Sequence, residues 1–199
     1  MAKLFEDIVD EGIACLVPEY LKAVGNITRV VSINGEDIVE KKSVKSILRR
    51  LARIYAIDII SLRSKYGKII GQKNIVPLPF SSELILVPFK TRTPMAPWDG
   101  TIGYISYSQI EKIKEDSEDG VIIALKCGLN IKALCRKATA EKHLRDAEVV
   151  CRAYMDIYRR HEQRSIVIRD IYEAYSQPAT KGDIALLTRE LMELKERLK

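Results

Sequence analysis

The chain has 199 residues, 47% of them apolar and 30% charged, with a net charge of +6. That length suits one domain, or one domain with an appendage, and the apolar content can fill a core, which argues against wholesale disorder. The charge is unevenly spread: residues 41–92 hold twelve Lys/Arg against two acids, Asp58 and Glu83, a net +10, whereas residues 1–40 carry −5. A field of that sign attracts a polyanion, because each cation laid on a phosphate releases condensed counterions.

Residues 1–24 read as a short acidic lead-in with a helix near Leu4–Gly12. The first residues are acidic and lack the apolar stretch of a secretory signal. No apolar run approaches the ~20 residues needed to span a bilayer. The expectation is a cytoplasmic protein. From Ile27 to Ile33 the chain is rich in β-branched residues, Asn34-Gly35 follows, and Glu36–Glu40 can return as a second strand. Asn-Gly is a strong hairpin signal, so a hairpin is predicted over 28–40.

Ser43 is a good N-cap. Apolar residues at 44, 47, 48, 51, 54 and 55 then predict a helix over 44–57. Lys45, Arg49 and Arg53 stack on its exposed stripe, Arg50 widens the stripe, and Lys41 and Lys42 precede it. Such a helix can enter a major groove or lie across phosphates. Arg63–Lys73 contains Arg63, Lys65, Lys68 and Lys73 with two glycines, and reads as a basic turn or loop. Its Tyr66 could stack on a base or anchor the loop. Asn74–Phe80, with Pro77 and Pro79, predicts an edge or irregular strand. Strands follow at Glu83–Phe89 and Thr101–Tyr107, and the connection between them holds Lys90, Arg92 and Trp98. Gln109–Lys114 reads as a short helix or a strand end.

Glu115–Gly120 is an acidic turn without the ligand spacing of a calcium loop. Val121–Lys126 and Leu129–Ala133 form a second predicted hairpin. Thr139 is read as the cap of a helix over 140–163, with Cys151, Tyr154 and Tyr158 on its buried face. Ile166–Tyr175 is a strand or a helix. A hinge at 176–182 separates residues 1–175 from a last helix, capped by Asp183, that runs to Lys199. Its apolar positions 184, 187, 191, 194 and 198 form a narrow seam suited to pairing with a second copy through 183–198.

Nucleotide-loop, zincin and nucleophile-elbow motifs are absent. The four cysteines have no C-x-x-C spacing, so buried reduced thiols are expected and no metal or other cofactor is implied. A metal-dependent nuclease would have to draw on Asp58, Glu83 and Lys90, which have no recognisable metal-site pattern. The expectation is a non-enzymatic protein.

From Gly71 to Lys114 the order of elements resembles the ComK family, the competence transcription factors of Gram-positive bacteria. The resemblance rests on Lys73 with Pro77, Leu84–Pro88, Thr91-Arg92-Thr93-Pro94, and Gly103-Tyr104-Ile105-Ser106 leading to Ile110. Weaker similarity extends to about Met155. The chain departs from the family's run at Val87, Phe89 and Tyr104, where Phe, Thr and Trp are usual, and it lacks the Cys before the Trp position. The resemblance implies a DNA-binding transcriptional activator with AT-rich sites, self-association on DNA and control by a proteolytic adaptor.

Composition and resemblance converge on an α+β protein: a small antiparallel sheet packed with helices, plus an appended C-terminal helix. Double-stranded DNA is the expected partner. Phosphate contacts are assigned to Lys41, Lys42, Lys45, Arg49, Arg50, Arg53, Arg63, Lys65, Lys68, Lys73, Lys90 and Arg92. Specificity is assigned to two or three of Arg49, Arg53, Arg63 and Arg92, through a narrow A·T minor groove. The alternatives are a protein–protein adaptor using the last helix, and an RNA-binding protein.

Overall fold

A computed structural model describes residues 4–22, 24–97, 99–116, 120–176 and 180–197, with the backbone alone for 160–176. The chain is α+β, as expected. It forms two compact units, Met1–Met155 and Asp156–Lys199. The boundary expected at 175/176 thus lies inside the second of these.

In the first unit, α1 (Phe5–Glu11) leads into β1 (Ile13–Leu21), β2 (Gly25–Ser32) and β3 (Asp37–Glu40). The predicted 28–40 hairpin is β2–β3, paired from Thr28↔Glu40 to Val31↔Asp37. The acidic lead-in, by contrast, contains β1, which pairs with β2 on one side and β6 on the other. Its run Ile13–Leu16 lacks apolar–polar alternation because all four residues are buried. Pro18 lies beyond the two β1–β6 pairs, Cys15↔Ile105 and Leu16↔Tyr104, so it removes no donor from them.

Next come α2 (Val44–Ile54), α3 (Ile59–Ile70), β4 (Leu78–Pro79), β5 (Ile85–Lys90) and β6 (Ile102–Ser106). Together they complete a six-stranded antiparallel sheet of order β3-β2-β1-β6-β5-β4. The segment 110–115 is a strand, β7, reached through one turn of 3-10 helix at Tyr107–Gln109. With β8 (Val121–Leu125) and β9 (Asn130–Ala133) it makes a second, three-stranded antiparallel sheet. Part of the acidic turn lies outside the described residues.

The large sheet is buried on both faces. On one, Leu16, Val30, Leu86 and Tyr104 pack against Phe5 and Ile8 of α1 and Ile47, Leu48 and Leu51 of α2. On the other, Cys15, Val31, Val87, Phe89 and Ile105 meet Ile123 and Ile131 of the small sheet and Ala140 and Ala147 of α4 (Lys137–Ser176). Burial pushes the Cys15 thiol up to about 12, which keeps it protonated and inert.

α4 starts at Lys137, two residues before the expected cap Thr139, and continues through the segment read as strand or helix. Of its three expected core residues, Cys151 and Tyr154 are half-buried and Tyr158 is exposed. His143 on α4 packs on Phe89 with ring centroids 5.4 Å apart, and its Nδ1 is buried without a partner. Burial lowers its pKa below the ordinary 6.5, and Lys142 adds to the effect; Asp146 and a hydrogen bond to the Pro88 backbone oppose it. The folded state therefore takes up this proton less readily than the unfolded chain. Stability should be complete above about pH 6.5 and fall as pH drops through that unfolded value toward the folded pKa. In His143→Gln the urea midpoint should depend less on pH between about 5 and 7 than in the wild type.

α5 (Lys181–Arg197) is capped by Thr180, and Asp183 is its capping-box partner: Asp183 N–H donates to Thr180 Oγ1 at 3.3 Å and Thr180 N–H donates to Asp183 Oδ2 at 2.7 Å. The helix thus begins before the cap read from sequence. No described helix is long and apolar enough to cross a membrane.

Candidate nucleic-acid interface

The basic segment is built on two consecutive helices joined by the four residues 55–58. Ser43 caps α2, its Oγ accepting from Ser46 N–H. The apolar residues 44, 47, 48, 51 and 52 are buried, which turns Lys45, Arg49 and Arg53 outward as one exposed stripe.

The second helix replaces the basic loop expected at 63–73. Asp58 starts it, accepting from Ser61 N–H at 2.6 Å, and that hydrogen bonding lowers its carboxyl below the usual range. Gly71 ends it in the left-handed conformation, φ 66°. Gly67 is a packing residue: a Cβ there would stand 2.5 Å from the Gln72 carbonyl oxygen. Tyr66 is 1% exposed, clustered with Val76 and Val150, so it pins α3 to α4 and cannot stack on a base. The outward face of α3 carries Ile60, Ser61, Ser64, Lys65 and Lys68, and Ile60 is 79% exposed. Trp98, the other aromatic singled out by sequence, lies outside the described residues.

The cations differ in how they are engaged. Arg50 points to the opposite flank of α2. Its Nη2 donates to Glu6 at 2.7 and 2.8 Å, its Nη1 donates to Glu40 at 3.0 Å, and its guanidinium lies 4.5 Å from the Phe5 ring centre. It ties α2 to α1 and β3, and the pair holds the Glu6 carboxyl below its ordinary value. Of the twelve predicted residues, Arg50 alone takes part in an ion pair among the described residues.

Arg92 fastens the connection between β5 and β6. Its Nε donates to Gly100 O at 2.9 Å and its Nη2 to Asn26 Oδ1. Asn26 Nδ2 donates to Asp99 Oδ1 at 2.6 Å, which lowers the Asp99 carboxyl, and Asp99 Oδ2 accepts from the N–H groups of Met95 and Ala96. Arg63 Nη2 donates to the Tyr104 hydroxyl at 2.9 Å, while burial raises the Tyr104 pKa.

Arg63 is the meeting point of the surface. It shares one groove with Lys45 and Arg92, and a second, shallower depression with Lys68 and Lys73. Lys65 and Lys68 share a third with Ile60, Ser61 and Ser64. Lys41 and Lys42 are exposed just before α2, and the Lys42 carbonyl accepts from Thr28 Oγ1 at 2.7 Å. Lys90 is exposed at the end of β5, outside these three hollows. Sequence reading missed the α3 surface, although Asp58 with apolar residues at 59, 62, 66 and 70 was a helix signal. Compared with known proteins, the chain matches no family model, no curated protein and no solved structure.

Proposed function

We propose that the protein binds duplex DNA and regulates transcription, with no catalytic step. The observation that carries this reading is the outward face of α2 and α3. Lys45, Arg49, Arg53, Arg63, Lys65 and Lys68 stand on it without an ion-pair partner among the described residues. Two helices joined by a four-residue turn are also the connectivity in which a second helix can present its first turns to base edges. On α3 those turns offer Ile60, whose methyl groups suit a thymine methyl, and the hydroxyls of Ser61 and Ser64. The flanking cations would hold the phosphates. Base selection accordingly shifts to α3 from the arginines favoured by sequence, of which Arg63 remains a phosphate contact.

The test is salt-titrated binding to a mixed-sequence and an AT-rich duplex. A steep fall of log K with log salt, together with preference for one duplex, supports a sequence-reading regulator. Absence of binding at low salt overturns it. Transcriptional activation and control by a proteolytic adaptor rest on the ComK resemblance and belong to the same proposal, as does a cytoplasmic location.

Self-association would use α5. Ile184, Leu187, Leu191 and Leu194 fall at three- and four-residue spacing on one side of the helix, and each is more than half exposed. Changing Leu187 and Leu191 together to Asp should give a monomer by sedimentation while the wild type is larger. A wild type that sediments as a monomer at micromolar concentration removes self-association from the proposal. The same seam is what an adaptor would use if the basic face binds no nucleic acid.

A further inference from the structure

The groove shared by Lys45, Arg63 and Arg92 is more than a patch of surface. It has a volume of about 360 Å³, inside the ~300–1,000 Å³ range of small-molecule sites. We propose that it binds a small phosphate monoester of about mononucleotide size.

Three observations carry this. The first is charge. Lys45 comes from the first turn of α2, Arg63 from the middle of α3 and Arg92 from the β5–β6 connection, and no carboxylate stands among the walls. Three cations facing one hollow repel one another, and a dianion placed between them relieves that repulsion. The positive end of the α2 dipole, at Ser43 and Val44 in the same wall, adds to the field.

The second is preorganisation. Arg92 is already held by Gly100 and Asn26 through Nε and Nη2, while its Nη1 is buried and unpartnered. Arg63 is steadied by the Tyr104 hydroxyl. Guanidinium groups fixed in this way lose little freedom on meeting a phosphate, which they can grip through two parallel N–H groups.

The third is the rest of the lining. Ile27, Val44, Leu48 and Ile102 supply apolar wall between the cations, with the Tyr104 ring beside them. A free inorganic ion would leave this apolar surface uncovered, whereas an ester with an apolar or heteroaromatic body covers it. One consequence rests on the DNA reading: Lys45 and Arg63 also belong to the proposed DNA face, so an occupied groove should weaken DNA binding, and DNA should weaken occupancy by the same factor.

The experiment is calorimetric titration of the full chain, without DNA, using adenosine 5′-monophosphate, adenosine and inorganic phosphate as probes. Wild type, Lys45→Ala and Arg63→Gln are compared, with thermal melts confirming that each is folded. Lys45 is exposed, so its replacement leaves the core untouched. The expected result is saturable one-to-one binding of the monophosphate. Adenosine and phosphate should each bind about tenfold or more weakly, and each variant should lose about tenfold or more in monophosphate affinity. The proposal is overturned if the monophosphate does not bind at millimolar concentration, if phosphate alone binds equally well, or if both variants bind like the wild type. A protein that binds duplex DNA but not the monophosphate loses only the groove proposal. One that binds the monophosphate but no DNA keeps it and loses the DNA reading.

Discussion

With Arg63, Lys65 and Lys68 changed together to Ala, the plot of log K against log salt for duplex DNA should flatten by about 2.7, the ~0.9 per phosphate contact expected for three lost contacts. At fixed moderate salt the affinity should fall by roughly 10²-fold, taking about 1 kcal/mol for each contact. The fold should persist, because all three side chains are exposed and make no ion pair among the described residues. Two companions sharpen the result. Arg50→Ala removes the tie to Glu6 and Glu40 and should lower stability while leaving the salt slope unchanged. Ser61→Ala with Ser64→Ala should change the preference between duplexes with no change of slope, since phosphate contacts position and base contacts specify. An unchanged slope in the triple variant would remove α3 from the interface.

The second large effect concerns stability. Leu16→Ala should destabilise the protein by about 2–5 kcal/mol, the transfer and cavity cost of a fully buried leucine, and lower the thermal midpoint by roughly 4–20 °C. Leu16 is 0% exposed and sits on β1, between β2 and β6. Leu4→Ala, at a position 64% exposed, should be close to neutral and serves as the control. Equal melting of the two variants would mean that β1 is not an inner strand of the sheet.

That contrast shows where local pattern informs and where it does not. Asn34-Gly35 and the spacing from Val44 to Leu51 announce the β2–β3 hairpin and α2, because turn chemistry and one-sided burial leave periodic marks. β1 leaves no such mark. Both faces of Ile13–Leu16 are covered, one by α1 and α2, the other by the small sheet, so nothing alternates. α3 is obscured by Gly67, which reads as a turn residue but is required by the Gln72 carbonyl. The candidate site divides in the same way. The excess of cations over 41–92 is evident from composition. Local pattern cannot show that Arg50 is spent on Glu6, 44 positions away, or that Lys45, Arg63 and Arg92 share one groove. Those depend on how distant segments pack.

The edges of the two sheets also restrict how copies of this protein can meet. β3 has four residues and β4 two, one of them Pro79, so the six-stranded sheet ends on both sides in a stub. The outer strand β7 of the small sheet carries Glu111, Lys112, Lys114 and Glu115, and β9 on its other side has four residues. Short, proline-bearing or charged borders give an incoming strand little backbone to pair with, which guards against aggregation by strand addition. Assembly by extending a sheet is thereby disfavoured, and helical surfaces are left as the means by which one copy can join another.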